Sequence, residues 1–213
     1  MSQTENLAAP ELAAVDIKGV TRQSFVMRGA VTAGAVYGLG AVGPFVRQAL
    51  AQDGAGDVGV LNFALTLEYL EAAFYTQALK QVGGLSSDAK KLATTLRDNE
   101  TEHVAALTKT IKSLGGKPVK APGVDFGNAF SSQKSFLKLA QTFEDTGVSA
   151  YNGAAPQIES TEVLAAAGSI VQVEARHAAA IRLMNGQPPA DAGFDKALEM
   201  KAVLDAVKPF VKS

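Results

Sequence analysis

The two histidines of this chain each stand three residues after a glutamate, and no other feature limits the possible folds so tightly. The first lies in Asn99-Glu100-Thr101-Glu102-His103, the second in Val173-Glu174-Ala175-Arg176-His177. Residues i and i+3 are about one turn apart on the same face of an α-helix, so each pair sets a carboxylate beside an imidazole. One such pair alone is ordinarily a solvated contact on a helix surface. With 11 glutamates in 213 residues, however, both histidines acquire one at minus three by chance only about once in several hundred chains.

Both motifs fall in segments with helical apolar spacing. Asp57 reads as the N-cap of a first helix over 58–82, with Leu61, Leu65, Tyr69, Ala72, Ala73 and Leu79 at helical intervals and Gly83-Gly84 after its last turn. Glu68 and Glu71 interrupt a stretch otherwise almost wholly apolar from Leu61 to Tyr75, and a helix apolar all round is buried, so these carboxylates are expected to face the interior. Ser86-Ser87-Asp88 opens a second helix, which carries Glu100 and His103 and closes at Gly115-Gly116. Residues 117–128 hold two prolines and two glycines, a loop long enough to cross from one end of a bundle to the other. A third helix over 131–155 has Phe136, Leu139, Ala140, Phe143 and Val148 on its apolar side, interrupted by Glu144-Asp145. Ser160-Thr161-Glu162 starts a fourth, which carries Glu174 and His177 and runs to Asn185-Gly186. After Pro188-Pro189, residues 194–210 read as an amphipathic C-terminal helix packed across the bundle. No strand pattern is present, so the fold class is all-α.

Composition excludes several classes of function. A net charge of −1 without a Lys/Arg run disfavours nucleic acid as a partner. The absence of cysteine removes disulfides, thiolate metal sites and cysteine nucleophiles. There is neither a glycine-rich phosphate loop nor a Gly-x-Ser-x-Gly elbow. The hydrophobic fraction of 47% suffices for one sizeable core.

Residues 1–51 have a different character. Thr21-Arg22-Gln23-Ser24-Phe25-Val26-Met27-Arg28 precedes an uncharged run over 29–46, and Ala49-Leu50-Ala51 follows as a small-x-small cleavage signal. The layout is that of an export signal, similar to a twin-arginine signal except that Gln23 stands where the second arginine belongs. An uncleaved anchor through 22–47, since the run just reaches spanning length, and a structural helix are the alternatives. The expected location is thus the periplasm or cell envelope, or the membrane if the anchor is retained. The domain boundaries read as 1–51 leader, 52–186 bundle and 187–213 C-terminal extension of the same domain.

The two halves of the bundle repeat one another with a period of about 75 residues. Glu68 is followed by Tyr75 and Glu144 by Tyr151, each two turns on and hence on one face. Each half supplies one Glu from its first helix and one Glu-x-x-His from its second, the inventory of four-helix bundles that bind two metal ions. Carboxylates and imidazoles without sulfur suit iron foremost and manganese second, as two divalent ions. Four carboxylates would repel one another in a low-dielectric core without cations. Glu71, one turn from Glu68, rivals it as the ligand; the matching tyrosines favour Glu68. Glu102 and Asp145 read as surface residues, Asp145 with a hydrogen bond as its other option, and Arg176 and Arg182 as surface or charge-neutralising residues.

Leu67-Glu68-Tyr69-Leu70-Glu71-Ala72-Ala73-Phe74-Tyr75 and the two Glu-x-x-His stretches resemble the ferritin-like superfamily, most of all its bacterial ferritin-like domain branch of desiccation-related proteins. The resemblance implies a ferritin-like antiparallel four-helix bundle with a crossover between helices two and three and a short C-terminal helix. It implies that Glu68, Glu100, His103, Glu144, Glu174 and His177 are metal ligands, with Glu100 and Glu174 bridging, and that Tyr75 and Tyr151 hold carboxylates in place. It further implies a ferroxidase-like reaction with oxygen or peroxide, with ferrous iron as a second partner and an oligomer as an option. The alternative is a non-catalytic stress or desiccation protein of the envelope with a structural or vestigial metal.

Overall fold

The computed structural model describes residues 56–212, so the leader and its export or anchor reading lie outside the described residues. Among the described residues there are five α-helices: α1 (Asp57–Gln81), α2 (Ser87–Ser113), α3 (Gln133–Ala154), α4 (Thr161–Met184) and α5 (Met200–Val207). No helix among them is long and apolar enough to cross a membrane. The short connections at 82–86 and 155–160 fold α1 against α2 and α3 against α4, and packing is closest within these two pairs. The long connection at 114–132 carries the chain from the first pair to the second.

Helix ends follow their local chemistry. The Ser86 and Ser160 hydroxyls accept the Ala89 and Val163 amides, and Ser132 forms a reciprocal capping box with Ser135. The helices α2 and α4 both end in the same hydrogen-bonded glycine motif, with Gly115 and Gly186 at positive φ. The expectation that Asp57 caps α1 is corrected: Gly56 is the N-cap and Asp57 the first helical residue. Its carboxylate instead accepts the amides of Glu159 and Ser160, at 2.7 and 2.9 Å, and so ties the start of α1 to the start of α4.

The apolar residues of α1 are buried around almost its whole circumference, which makes it the core element of the bundle. On one side Phe74 meets the rings of Tyr75, Phe126, Phe130, Phe136 and Phe143 at 5.0–5.5 Å. A second cluster, around Leu61, Leu65, Leu107, Ile111, Val163 and Ile170, fills the other side. The crossover is pinned by buried Asn62, whose Nδ2 donates to Lys117 O and whose Oδ1 accepts the Val119 amide.

The C-terminal helix packs on α3 through Val203, Leu204 and Val207, but it is shorter than its sequence pattern predicts. It starts at Met200, not at Phe194, whose side chain is 94% exposed. Residues 196–198 run instead as a strap across α3: the Leu198 amide donates to Ser149 O and Asn152 Nδ2 donates to Lys196 O. These bonds to α3 replace those a helix would have made. Beyond α5, Val211 bridges to Val124, so the chain end is fastened to the crossover.

Candidate metal centre

The four long helices each project one glutamate into the same interior point. Glu68 comes from α1, Glu100 from α2, Glu144 from α3 and Glu174 from α4, and all four are 0% exposed. His103 and His177, one turn beyond Glu100 and Glu174, are buried as well. The structure thus brings together all six residues that the sequence singles out.

They form two groups with shared members. In one, Glu68, Glu100, His103 and Glu174 offer ligand atoms within 4.8 Å of one another; in the other, Glu100, Glu144, Glu174 and His177 do so. His103 Nδ1 lies 3.1 Å from Glu68 Oε2, 3.0 Å from Glu100 Oε2 and 3.0 Å from Glu174 Oε1. His177 Nδ1 lies 2.9 Å from Glu100 Oε1, 3.5 Å from Glu144 Oε2 and 3.8 Å from Glu174 Oε2. Glu100 and Glu174 therefore each turn one oxygen to either histidine. Each group could hold a metal ion.

The electrostatics favour positive charge at this point. Burial opposes a charged His103, yet Glu100, Glu174 and Glu68 around it outweigh burial and raise its pKa to about 12. The same balance, with Glu100 and Glu144 as partners, raises His177 to about 10. Burial raises Glu68 to about 7, and it also raises Glu144 and Glu174, reinforced by neighbouring carboxylates. Burial acts on Glu100 too, but the two histidines and Glu68 beside it overcome it and lower the pKa to about 2. Protons thus stand where positive charge is required. They satisfy it incompletely: Glu100 Oε1, Glu144 Oε2, both oxygens of Glu174 and His177 Nδ1 are buried at ionic distances from one another without a contact of hydrogen-bond geometry.

The two tyrosines work crosswise. Tyr75 of α1 donates to Glu144 Oε1 on α3, and Tyr151 of α3 donates to Glu68 Oε1 on α1. Their spacing places them on the same faces as the glutamates of their own helices, but only the packing of α1 against α3 makes the exchange visible.

Two further residues join the site. Glu71, weighed against Glu68, is buried beside it, 3% exposed, so α1 brings both carboxylates inside. The Asn99 side-chain amide sits 2.9 Å from His177 Nε2. The contact is made by Asn99 Nδ2, a donor, so it suits a His177 ring whose Nε2 accepts. The signal for Asn99 in the sequence is its place four residues before His103, on the helix face that meets the other half; the corresponding residue of the second motif is Val173. Asp145 lies outside the centre, where it accepts from Arg182 Nε at 3.1 Å, and Arg182 also holds Asp191. Glu102 and Arg176 are exposed, as expected.

Residues 56–187 match the ferritin-like domain family. No curated protein sequence matches the chain. Among solved structures, a conserved hypothetical protein from Mycobacterium tuberculosis is similar with a TM-score of 0.55 and 18% sequence identity, over 63% of this chain and 94% of that one. At that identity the likeness concerns the fold alone.

Proposed function

Since the chain belongs to the ferritin-like domain family, we propose that its buried cluster holds two divalent transition ions, iron foremost and manganese second, and reacts with oxygen or peroxide as a ferroxidase does. One observation carries this reading: five buried ligand atoms on Glu100, Glu144, Glu174 and His177 make no contact of hydrogen-bond geometry and face one another. Two histidines are fewer positive charges than four buried carboxylates call for, and burying an ion without full compensation costs several kcal/mol. Two cations satisfy all five atoms together, and the donor set of carboxylates and imidazoles without sulfur suits iron or manganese.

Glu68, Glu100, His103 and Glu174 would hold one ion and Glu100, Glu144, Glu174 and His177 the other. Bound there, the ions supply electrons and Lewis acidity. As substrate, two ferrous ions give up one electron each, and one molecule of peroxide takes both electrons with two protons to leave two waters. Glu100 and Glu174 would serve both ions, since each turns one oxygen to either histidine. Tyr75 and Tyr151 hold Glu144 and Glu68 in place by donating to the oxygen that does not face a histidine. Burial of all six side chains keeps bulk water from competing for the ions.

We place this activity in the periplasm or cell envelope, on the support of the twin-arginine-like leader, with attachment through 22–47 where the leader is retained. The decisive experiment is anaerobic reconstitution with ferrous iron, a metal-to-chain ratio, and then near-ultraviolet absorption during addition of oxygen or peroxide. About two irons per chain and fast ferric formation are expected. Two bound irons that stay ferrous would favour the stress or desiccation protein with a structural metal. No bound iron would end the di-metal reading.

A further inference from the structure

Glu71 breaks the symmetry of the centre. The internal repeat pairs Glu68 with Glu144 and Tyr75 with Tyr151, an offset of 76 residues, and the same offset carries Glu71 to Gly147. One half thus has a second carboxylate where the other has no side chain at all. The two positions adjoin in space: a methyl group on Gly147 would come 3.2 Å from Glu71 Oε1 and 3.5 Å from Glu174 Oε2. These two oxygens therefore border one small space, which stays open because residue 147 is glycine. Of the two oxygens of Glu174, Oε1 faces His103 and Oε2 faces His177, so Glu71 adjoins the His177 half.

We propose that Glu71 is a further carboxylate ligand, reserved for the ion held by Glu144, Glu174 and His177, and that Gly147 keeps its path clear. The inference rests on the di-metal reading above. Glu71 lies outside both compact ligand groups, so ligation takes a rotation of its side chain toward the ion within the space beside Gly147. Two metal positions that look equivalent in the sequence repeat are then chemically unequal: one has Glu68 from α1, the other has Glu144 from α3 and Glu71 from α1.

The test is anaerobic titration of the full-length protein with Co(II), followed by visible absorption and equilibrium dialysis. The wild type takes up two ions with distinct affinities. Glu71→Gln weakens one ion by about tenfold or more and leaves the other unchanged. The weakened ion is the one that His177→Ala removes and His103→Ala retains. Gly147→Ala keeps every charge but sets a methyl group 3.2 Å from Glu71 Oε1, and it weakens the same ion. Alanine is also the better helix former, so this variant retains the fold, checked by circular dichroism. Wild-type affinities in Glu71→Gln would overturn the inference. So would equal weakening of both ions in Glu71→Gln with no effect of Gly147→Ala, because Glu71 would then act only through its charge. If the wild type bound no Co(II), the di-metal reading would itself fail; if it bound two and the variants matched it, only the role of Glu71 would fall.

Discussion

Tyr75 and Tyr151 each serve the half of the site opposite to the one their own helix supplies, and this makes their substitution informative. Tyr75→Phe removes the donor to Glu144 without opening a cavity, and Tyr151→Phe does the same for Glu68. Outer partners of metal ligands are commonly worth 10–100-fold in metal affinity, so each variant is expected to weaken one Co(II) binding step by roughly tenfold. The affected steps differ: Tyr75→Phe acts on the ion near His177, Tyr151→Phe on the ion near His103. Competition titration with a chelating dye distinguishes the two, and a uniform loss in both variants would contradict the crosswise pairing. The six central residues are readable in the sequence because helical spacing fixes which side chains share a face. Asn99 and the crosswise tyrosine bonds are not, since they depend on which helix of one half meets which helix of the other.

At the scale of elements, the four long helices are legible because apolar spacing, serine caps and terminal glycines agree with one another. Misreadings occur where a tertiary bond displaces a local preference. Asp57 looks like a cap but bonds to the chain entering α4, and residues 194–199 look helical but form no helix, with 196–198 strapped across α3. Asn62 shows no sequence signal of its function, because its partners at Lys117 and Val119 come from a connection whose path only the fold defines. The strap also supports a direct prediction. A Cβ on Gly153 would fall 1.8 Å from Leu198 O, a clash with backbone that no rotamer change relieves. Gly153→Ala should therefore displace the strap and lose its bonds to Ser149 and Asn152. Overpacking costs about 1–3 kcal/mol, more than the approximately 1 kcal/mol that alanine gains over glycine within a helix. A lower denaturation midpoint with unchanged Co(II) stoichiometry is expected, since the strap supplies none of the metal-binding groups. A midpoint at or above wild type would show that the strap adds nothing to stability.

For the molecule as a whole, a centre that binds metal as proposed makes folding, protonation and metal binding one coupled equilibrium. In the metal-free protein Glu68 has its pKa raised to about 7, so the stability it contributes when protonated is complete below its ordinary value of 4.5 and lost as pH rises through about 7. His177 and His103 act with the same sign: their contribution is complete below 6.5 and declines as pH rises toward about 10 and about 12. Glu100 opposes them, but its contribution is already in place above 4.5 and is lost only as pH falls toward about 2. Between pH 5 and pH 8 the metal-free protein should therefore become less stable as pH rises. The loaded protein should respond in the opposite way, because cations must displace the protons on these same side chains and do so more easily as protons become scarce. Thermal midpoints measured across this range, once with chelator and once with excess Co(II), are expected to have slopes of opposite sign. Parallel slopes would mean that the metal does not occupy the protonated cluster. A metal-free slope that rises with pH would mean that the buried glutamates are not the groups that take up protons. The opposed slopes would locate both the protons and the ions at one place, the point where α1, α2, α3 and α4 converge.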